Sequence, residues 1–158
     1  MKKRIALLPS GAAGCLLGAG HQKMQKPKES NSGSGQGSGA LIYVVDDEPM
    51  LLELAAVILE PLGYKVETYN VPEAALRAFK AANPQPALII TDFAMHTMTG
   101  LQLLAACRQI RPGQKVVMVS GTVGPEIIDA SSVKPDRFLP KPYEFKQLVD
   151  TVEAMLAD

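Results

Sequence analysis

The sequence predicts an α/β fold: a single doubly wound, five-stranded parallel sheet flanked by five helices. Three observations carry that expectation. Five short runs with strand character alternate with helix-length segments, in the order βαβαβαβαβα. The most apolar of these runs are rich in β-branched residues, as strands covered on both faces are. Carboxylates, a hydroxyl and a lysine recur at the ends of four of the runs, where open parallel sheets carry their chemistry.

The first strand is Leu41-Ile42-Tyr43-Val44-Val45, closed by Asp46-Asp47-Glu48. A helix follows from Glu48 to Leu62, with Pro61 shortening its last turn and Gly63 as its stop. Lys65–Tyr69 alternates as a second strand. Pro72 opens a helix through Ala81, with Ala75, Leu76 and Phe79 on one face, and Asn83-Pro84 ends it. The third strand is the apolar run Ala87–Asp92, followed by a loop to Gly100. A helix spans Leu101–Ile110 and stops at Arg111-Pro112-Gly113. Lys115–Val119, ending in Ser120, is the fourth strand. Pro125–Asp129 supports only a short helix. Asp136–Leu139, ending in Pro140-Lys141-Pro142, is the fifth strand. In the last helix Phe145, Leu148, Val149, Val152 and Leu156 mark a core-facing stripe.

The strand ends hold the candidate chemistry. Asp46, Asp47 and Asp92 brought to one edge repel one another unless a cation sits among them, and oxygen ligands suit a hard divalent ion, Mg2+ above all. Each acid has a plainer use: Asp46 and Asp47 as caps of the following helix, Asp92 as a loop acid. A pair abutting a strand exceeds what a cap needs. Lys141 is held between two prolines, which a surface lysine rarely requires. Ser120 before Gly121 is either a turn residue or a phosphoryl contact. Together these groups form a site for receiving a phosphoryl group. Phe138 reads equally as core and as a moving part. His96 and His21 are too isolated in sequence to make a metal site.

The 158 residues fit one domain plus an appendage. Residues 1–39 carry six Lys/Arg and one Glu, and residues 40–158 carry ten Lys/Arg and fifteen Asp/Glu. The acidic body argues against nucleic acid as its main partner. Residues 1–39 read as a disordered basic head ending in the Gly/Ser linker NSGSGQGSG, and residues 40–158 as the domain. The first 20 residues resemble a weak secretory signal, with Ala12-Ala13-Gly14-Cys15 like a lipoprotein cleavage box. Pro9, Ser10 and several glycines interrupt it, and a stable membrane association is not expected. Met24 is an alternative start. A disulfide between Cys15 and Cys107 is not expected, and Cys107 reads as a small buried hydrophobe.

Residues 41–157 resemble the receiver domain of two-component response regulators. Asp46-Asp47, the segment Asp92-Phe-Ala-Met-His-Thr-Met-Thr-Gly100, Ser120-Gly121 and Lys141-Pro142 carry the resemblance, in the family's order and near its spacing. It implies a flavodoxin-like sheet of strand order 2-1-3-4-5. It implies that Asp92 accepts a phosphoryl group from a sensor histidine kinase or a histidine phosphotransfer protein. Asp47 would bind Mg2+ directly, Asp46 through water, and the Ala94 backbone carbonyl would be a further ligand. Lys141 would neutralise phosphoryl oxygens, Ser120 would bond the acyl phosphate, and Phe138 would be the rotamer switch. The expected protein is a stand-alone cytoplasmic switch with an unknown downstream protein partner, rather than a turnover enzyme. An exported lipoprotein acylated at Cys15 is the minor alternative.

Two departures stand out. His96 occupies a loop position where the family usually has proline, and Ser131–Pro135 is poor helix. Rival readings are an unphosphorylated scaffold and a flavodoxin-like or phosphatase-type hydrolase. The hydrolase lacks a Gly-rich phosphate loop after the first strand, and it has Ala94 where a second acid would stand.

Overall fold

The computed structural model describes residues 39–157. The expectations for the basic head, including Cys15, His21 and Met24, lie outside the described residues. Five parallel strands, β1 (Leu41–Val45), β2 (Lys65–Tyr69), β3 (Leu88–Asp92), β4 (Lys115–Ser120) and β5 (Arg137–Pro140), form one sheet in the order β2-β1-β3-β4-β5. Between and after them run α1 (Pro49–Leu59), α2 (Pro72–Ala81), α3 (Gly100–Ile110), α4 (Pro125–Asp129) and α5 (Phe145–Leu156).

Strand position explains strand composition. The central strands β1, β3 and β4 are buried almost throughout, which is why they read as continuous apolar runs. The edge strands β2 and β5 keep solvent-facing residues and read as mixed. Two hydrophobic clusters line the two faces of the sheet. One packs α1 and α5, through Leu52, Leu59, Leu148 and Val152, against Ile42, Ile90 and Val117. The other packs α2, α3 and α4, through Phe79, Leu103, Leu104 and Ile128, against Tyr43, Val116 and Met118. Cys107 is free and buried in the second cluster, and burial pushes its thiol up to about 11. Among the described residues no helix is long and apolar enough to cross a membrane.

Three expectations about the helices need correction. The helix from Glu48 is α-helical only to Leu59, and its last turn, Glu60–Leu62, tightens to a 3-10 turn. Pro61 has no N–H to donate back four residues, so the α pattern ends there. Gly63, at φ 89°, then turns the chain into β2. Second, α3 begins one residue early because Thr99 caps it: its side chain accepts the Gln102 N–H, and Gln102 Oε1 accepts the Thr99 N–H. Third, Phe145 is 59% exposed, and the buried stripe of α5 is Leu148, Val152 and Met155. A helical side chain lies over the turn before its own Cα. Phe145 opens the helix and has no such turn beneath it.

Candidate functional site

The parallel register brings the ends of β1, β3, β4 and β5 to one edge: Val45 pairs with Thr91, Asp92 with Val119, and Ser120 with Pro140. Asp46 continues β1 by one step, its N–H donating to the Tyr69 carbonyl at 3.1 Å. Its Oδ1 accepts the Glu48 N–H at 2.9 Å, which ties the carboxylate to the entry of α1. Asp92 closes β3, and its Oδ2 accepts the Ala94 N–H at 2.7 Å.

Lys141 joins the two acids. Its Nζ donates to Asp46 Oδ2 at 2.8 Å and to Asp92 Oδ1 at 2.7 Å. Its main chain is pinned as well, with the N–H donating to the Ser120 carbonyl at 2.7 Å, just before a cis peptide bond to Pro142. Burial alone would lower the Lys141 ammonium, but the hydrogen bonds and charges of Asp46 and Asp92 outweigh it and hold the group above its ordinary value. Asp46 and Asp92 are themselves buried, so the ammonium compensates charges that water does not reach well.

The third acid sits apart from this pair. The Asp47 side chain is 22% exposed and meets the His96 imidazole, Nδ1 to Oδ2, at 2.5 Å. The loop that carries His96 is cinched at its base. The Phe93 N–H donates to the Val119 carbonyl at 2.8 Å, and the Gly100 N–H donates to the Phe93 carbonyl at 2.9 Å. A Cβ on Gly100 would stand 2.3 Å from the Asp92 carbonyl oxygen and 2.6 Å from Met118 Sδ. Only glycine fits there, which explains why the loop ends at that residue.

Ser120 is buried at the right edge, but its hydroxyl turns into its own loop. Its Oγ accepts the N–H groups of Thr122 and Val123, each at 3.2 Å, and lies 3.4 Å from Thr122 Oγ1. Phe138 is half-buried, paired in register with Met118 and packed on the α2–α4 side of the sheet. Asp46, Asp92 and Lys141 are thus in direct contact, Ala94 touches Asp92, Asp47 is adjacent, and Ser120 and Phe138 stand on neighbouring strands without joining the ion-pair group.

Two neighbours of the site were not evident from the residue pattern. His96 reaches Asp47 through the fold of a loop that has no periodicity to read. Tyr143 follows the Lys141-Pro142 pair and packs on the α1–α5 cluster. Burial raises its hydroxyl pKa; the charge of Lys141 opposes that shift, and those of Asp46 and Asp92 add to it.

Three carboxylates against one lysine leave this edge with unbalanced negative charge. Among the described residues no three His, Cys, Asp or Glu side chains are gathered tightly enough to enclose an ion. Mg2+ is usually held by one or two carboxylates and keeps several waters. The donor set is all oxygen at Asp46, Asp47 and Asp92, so its chemistry fits. A cleft of about 600 Å3 lies elsewhere, at the opposite end of β1 and β2 near Gly39, Lys65 and Gln85, and contributes nothing to this site.

Comparison with known proteins settles the family. The response regulator receiver domain matches residues 42–153, most of the chain. The chain belongs to the response regulator receiver family. Over 120 residues this receiver is 32% identical to the DNA-binding transcriptional regulator NtrC of Azospirillum brasilense, an alignment covering 75% of this chain and 24% of that one. The receiver domain protein (CheY-like) of Methanospirillum hungatei JF-1 superposes with a TM-score of 0.70 at 27% identity, over 76% of this chain and 95% of that one. The response regulator TrrA of Thermotoga maritima, solved in complex with Mg2+–BeF, gives 0.67 at 29% identity, over 74% and 99%. The chain spans from 14% to 51% of the length of the curated relatives it matches. Receiver domains are signalling switches of two-component systems. They take phosphoryl groups from histidine kinases and generally bind Mg2+.

Proposed function

We propose that this receiver accepts a phosphoryl group on Asp92 from the phosphohistidine of a sensor kinase or histidine phosphotransfer protein, and that the phosphorylated form changes its protein contacts. The observation that carries this reading is the Lys141 ammonium bridging Asp46 and Asp92. In the transfer a carboxylate oxygen of Asp92 forms a bond to phosphorus as the phosphorus–nitrogen bond of the donor breaks, and the imidazole leaves. Such transfers pass through a loose transition state with charge spread over the phosphoryl oxygens, so the protein's work is positioning and charge compensation. Lys141 already stands on Asp92 Oδ1, so its charge would lie beside the incoming oxygens. The Ala94 N–H holds the other carboxylate oxygen and fixes the plane of the nucleophile.

Asp47 would ligate Mg2+ directly, Asp46 through water, with Asp92 and the Ala94 carbonyl completing the protein's share. Bound there, the ion supplies further neutralisation of phosphoryl charge. Ser120 would bond the acyl phosphate after releasing the Thr122 and Val123 N–H groups. Phe138, half-buried against the α2–α4 side of the sheet, would transmit that change to the α4–β5–α5 face.

A kinase partner implies the cytoplasm, where the phosphodonor is made. The acidic charge of residues 40–158 supports a protein partner over nucleic acid for this part of the chain. The test is phosphotransfer from a panel of labelled histidine kinases. Label should pass to the native chain in Mg2+ and not to Asp92→Asn, and Asp47→Ala should need far more Mg2+ for the same transfer. Equal labelling of Asp92→Asn, or an unchanged Mg2+ requirement in Asp47→Ala, would contradict the assignment.

A further inference from the structure

We propose that His96 is a cation-selectivity residue. Placed against Asp47, it adds an imidazole to an otherwise all-oxygen site and raises the site's preference for imidazole-accepting divalent ions, Ni2+ and Co2+ among them, relative to Mg2+. The proposal rests on the reading of Asp47 as the direct metal ligand.

The geometry is specific. Nδ1 of His96 lies 2.5 Å from Asp47 Oδ2. An ion inserted between them meets both atoms. Ligands on neighbouring vertices of an octahedral ion with bonds of about 2.1 Å stand roughly 3 Å apart. The pair has to open by only about half an ångström to become two ligands of one ion. The His96 side chain is 90% exposed, so nothing packed around it resists the movement. The starting contact is also weak, since exposed ion pairs contribute about 0–1 kcal/mol.

The chemistry then separates cations. Mg2+ takes oxygen ligands and dehydrates reluctantly, so it displaces His96 from Asp47 and gains nothing from the ring. Ions that accept imidazole keep both groups. His96 therefore disfavours Mg2+ slightly and favours the nitrogen-accepting ions. The Gly100 and Phe93 backbone hydrogen bonds close the loop that carries His96 at its base. A proline at position 96 offers no such donor.

Calorimetric titration of the full chain with Mg2+ and with Ni2+, at one fixed, mildly alkaline pH, tests this. The proteins compared are the native chain, His96→Ala, His96→Gln and Asp47→Asn. His21 is common to all four and cancels. Loss of a supporting group at a metal site costs about 10–100-fold in affinity, and loss of a ligand should cost at least the lower figure. Both His96 variants should lose about tenfold or more in Ni2+ affinity while Mg2+ affinity holds or rises. Gln keeps a polar group beside Asp47 but offers a poor ligand, so its behaviour separates ligation from a merely structural contact. An unchanged Ni2+ to Mg2+ affinity ratio in His96→Ala overturns the selectivity role, while the metal site itself stands. Mg2+ binding that is equal in the native chain and Asp47→Asn overturns the metal reading of Asp47, and with it this proposal.

Discussion

Lys141 Nζ lies 2.7 Å from Asp92 Oδ1, bringing the end of β5 onto the end of β3 across the intervening strand β4. The same ammonium holds Asp46 at 2.8 Å, so one cation secures two buried acids from separate strands. That relationship is structural and chemical at once. It keeps two carboxylates tolerable at a sheet edge and places a positive charge where phosphoryl oxygens would arrive.

Replacing Lys141 by Met should therefore destabilise the fold, by about 3 kcal/mol in the absence of divalent cations, because two buried acids lose their shared partner. The sign of the pH dependence follows from the raised Lys141 pKa. Its contribution is fully present below the unfolded value of 10.5 and is lost as pH rises through the higher folded value. Urea unfolding of native and Lys141→Met protein should differ by a constant amount near neutrality, and the two should converge in strong alkali. A gap that widens with alkalinity would contradict the ion-pair account.

Gly100→Ala should cost about 1–3 kcal/mol, the usual range for overpacking, since a Cβ meets the Asp92 carbonyl and Met118 Sδ at distances no atom tolerates. The strain falls on Asp92, the proposed nucleophile. Phosphoryl acceptance should slow along with the loss of stability. A thermal melt matching the native protein would show that the loop shifts freely.

Much of this arrangement was legible in the residues. A run such as Leu88-Ile89-Ile90-Thr91 admits burial on both faces, and the acid after it has to emerge at the strand end. Lys141 between prolines announced a fixed cation. Contacts that depend on loop shape were not legible. His96 is isolated in sequence and meets Asp47 only because the loop after β3 folds back. Ser120 could be placed at the edge, but the turn of its hydroxyl towards Thr122 and Val123 depends on the path of the next loop. Gln114 is polar yet buried, because its amide donates to the Lys115 carbonyl and accepts from Arg111. Phe145 fits the apolar period of α5 and still faces solvent, since periodicity does not say where a helix begins to be covered.

Ser120→Ala should separate acceptance from switching. The variant loses an acceptor for two backbone N–H groups, a cost of about 1–3 kcal/mol where those groups stay buried. Asp92 should still be labelled. Phosphorylation-dependent NMR shifts around Phe138 should shrink or vanish. Identical shifts in Ser120→Ala and native protein would remove Ser120 from the switching path.

Residues 1–39 should be dispensable for the fold. A chain beginning at Ala40 should melt within a few degrees of the full chain, as expected when a Gly/Ser/Lys-rich segment buries little. A large drop would mean that the head docks on the domain. Isolation of the native protein acylated at Cys15 would establish export instead.

The central claim is that Asp92 is the phosphoacceptor, and intact-protein mass after treatment with acetyl phosphate tests it most directly. With Mg2+ the native chain should gain the mass of a single phosphoryl group, mapped to Asp92 after borohydride trapping. Lys141→Met should gain far less, and Asp92→Asn none. A phosphoryl group that appears on Asp92→Asn to the native extent, or that maps to Asp46 or Asp47 in the native chain, would contradict the account.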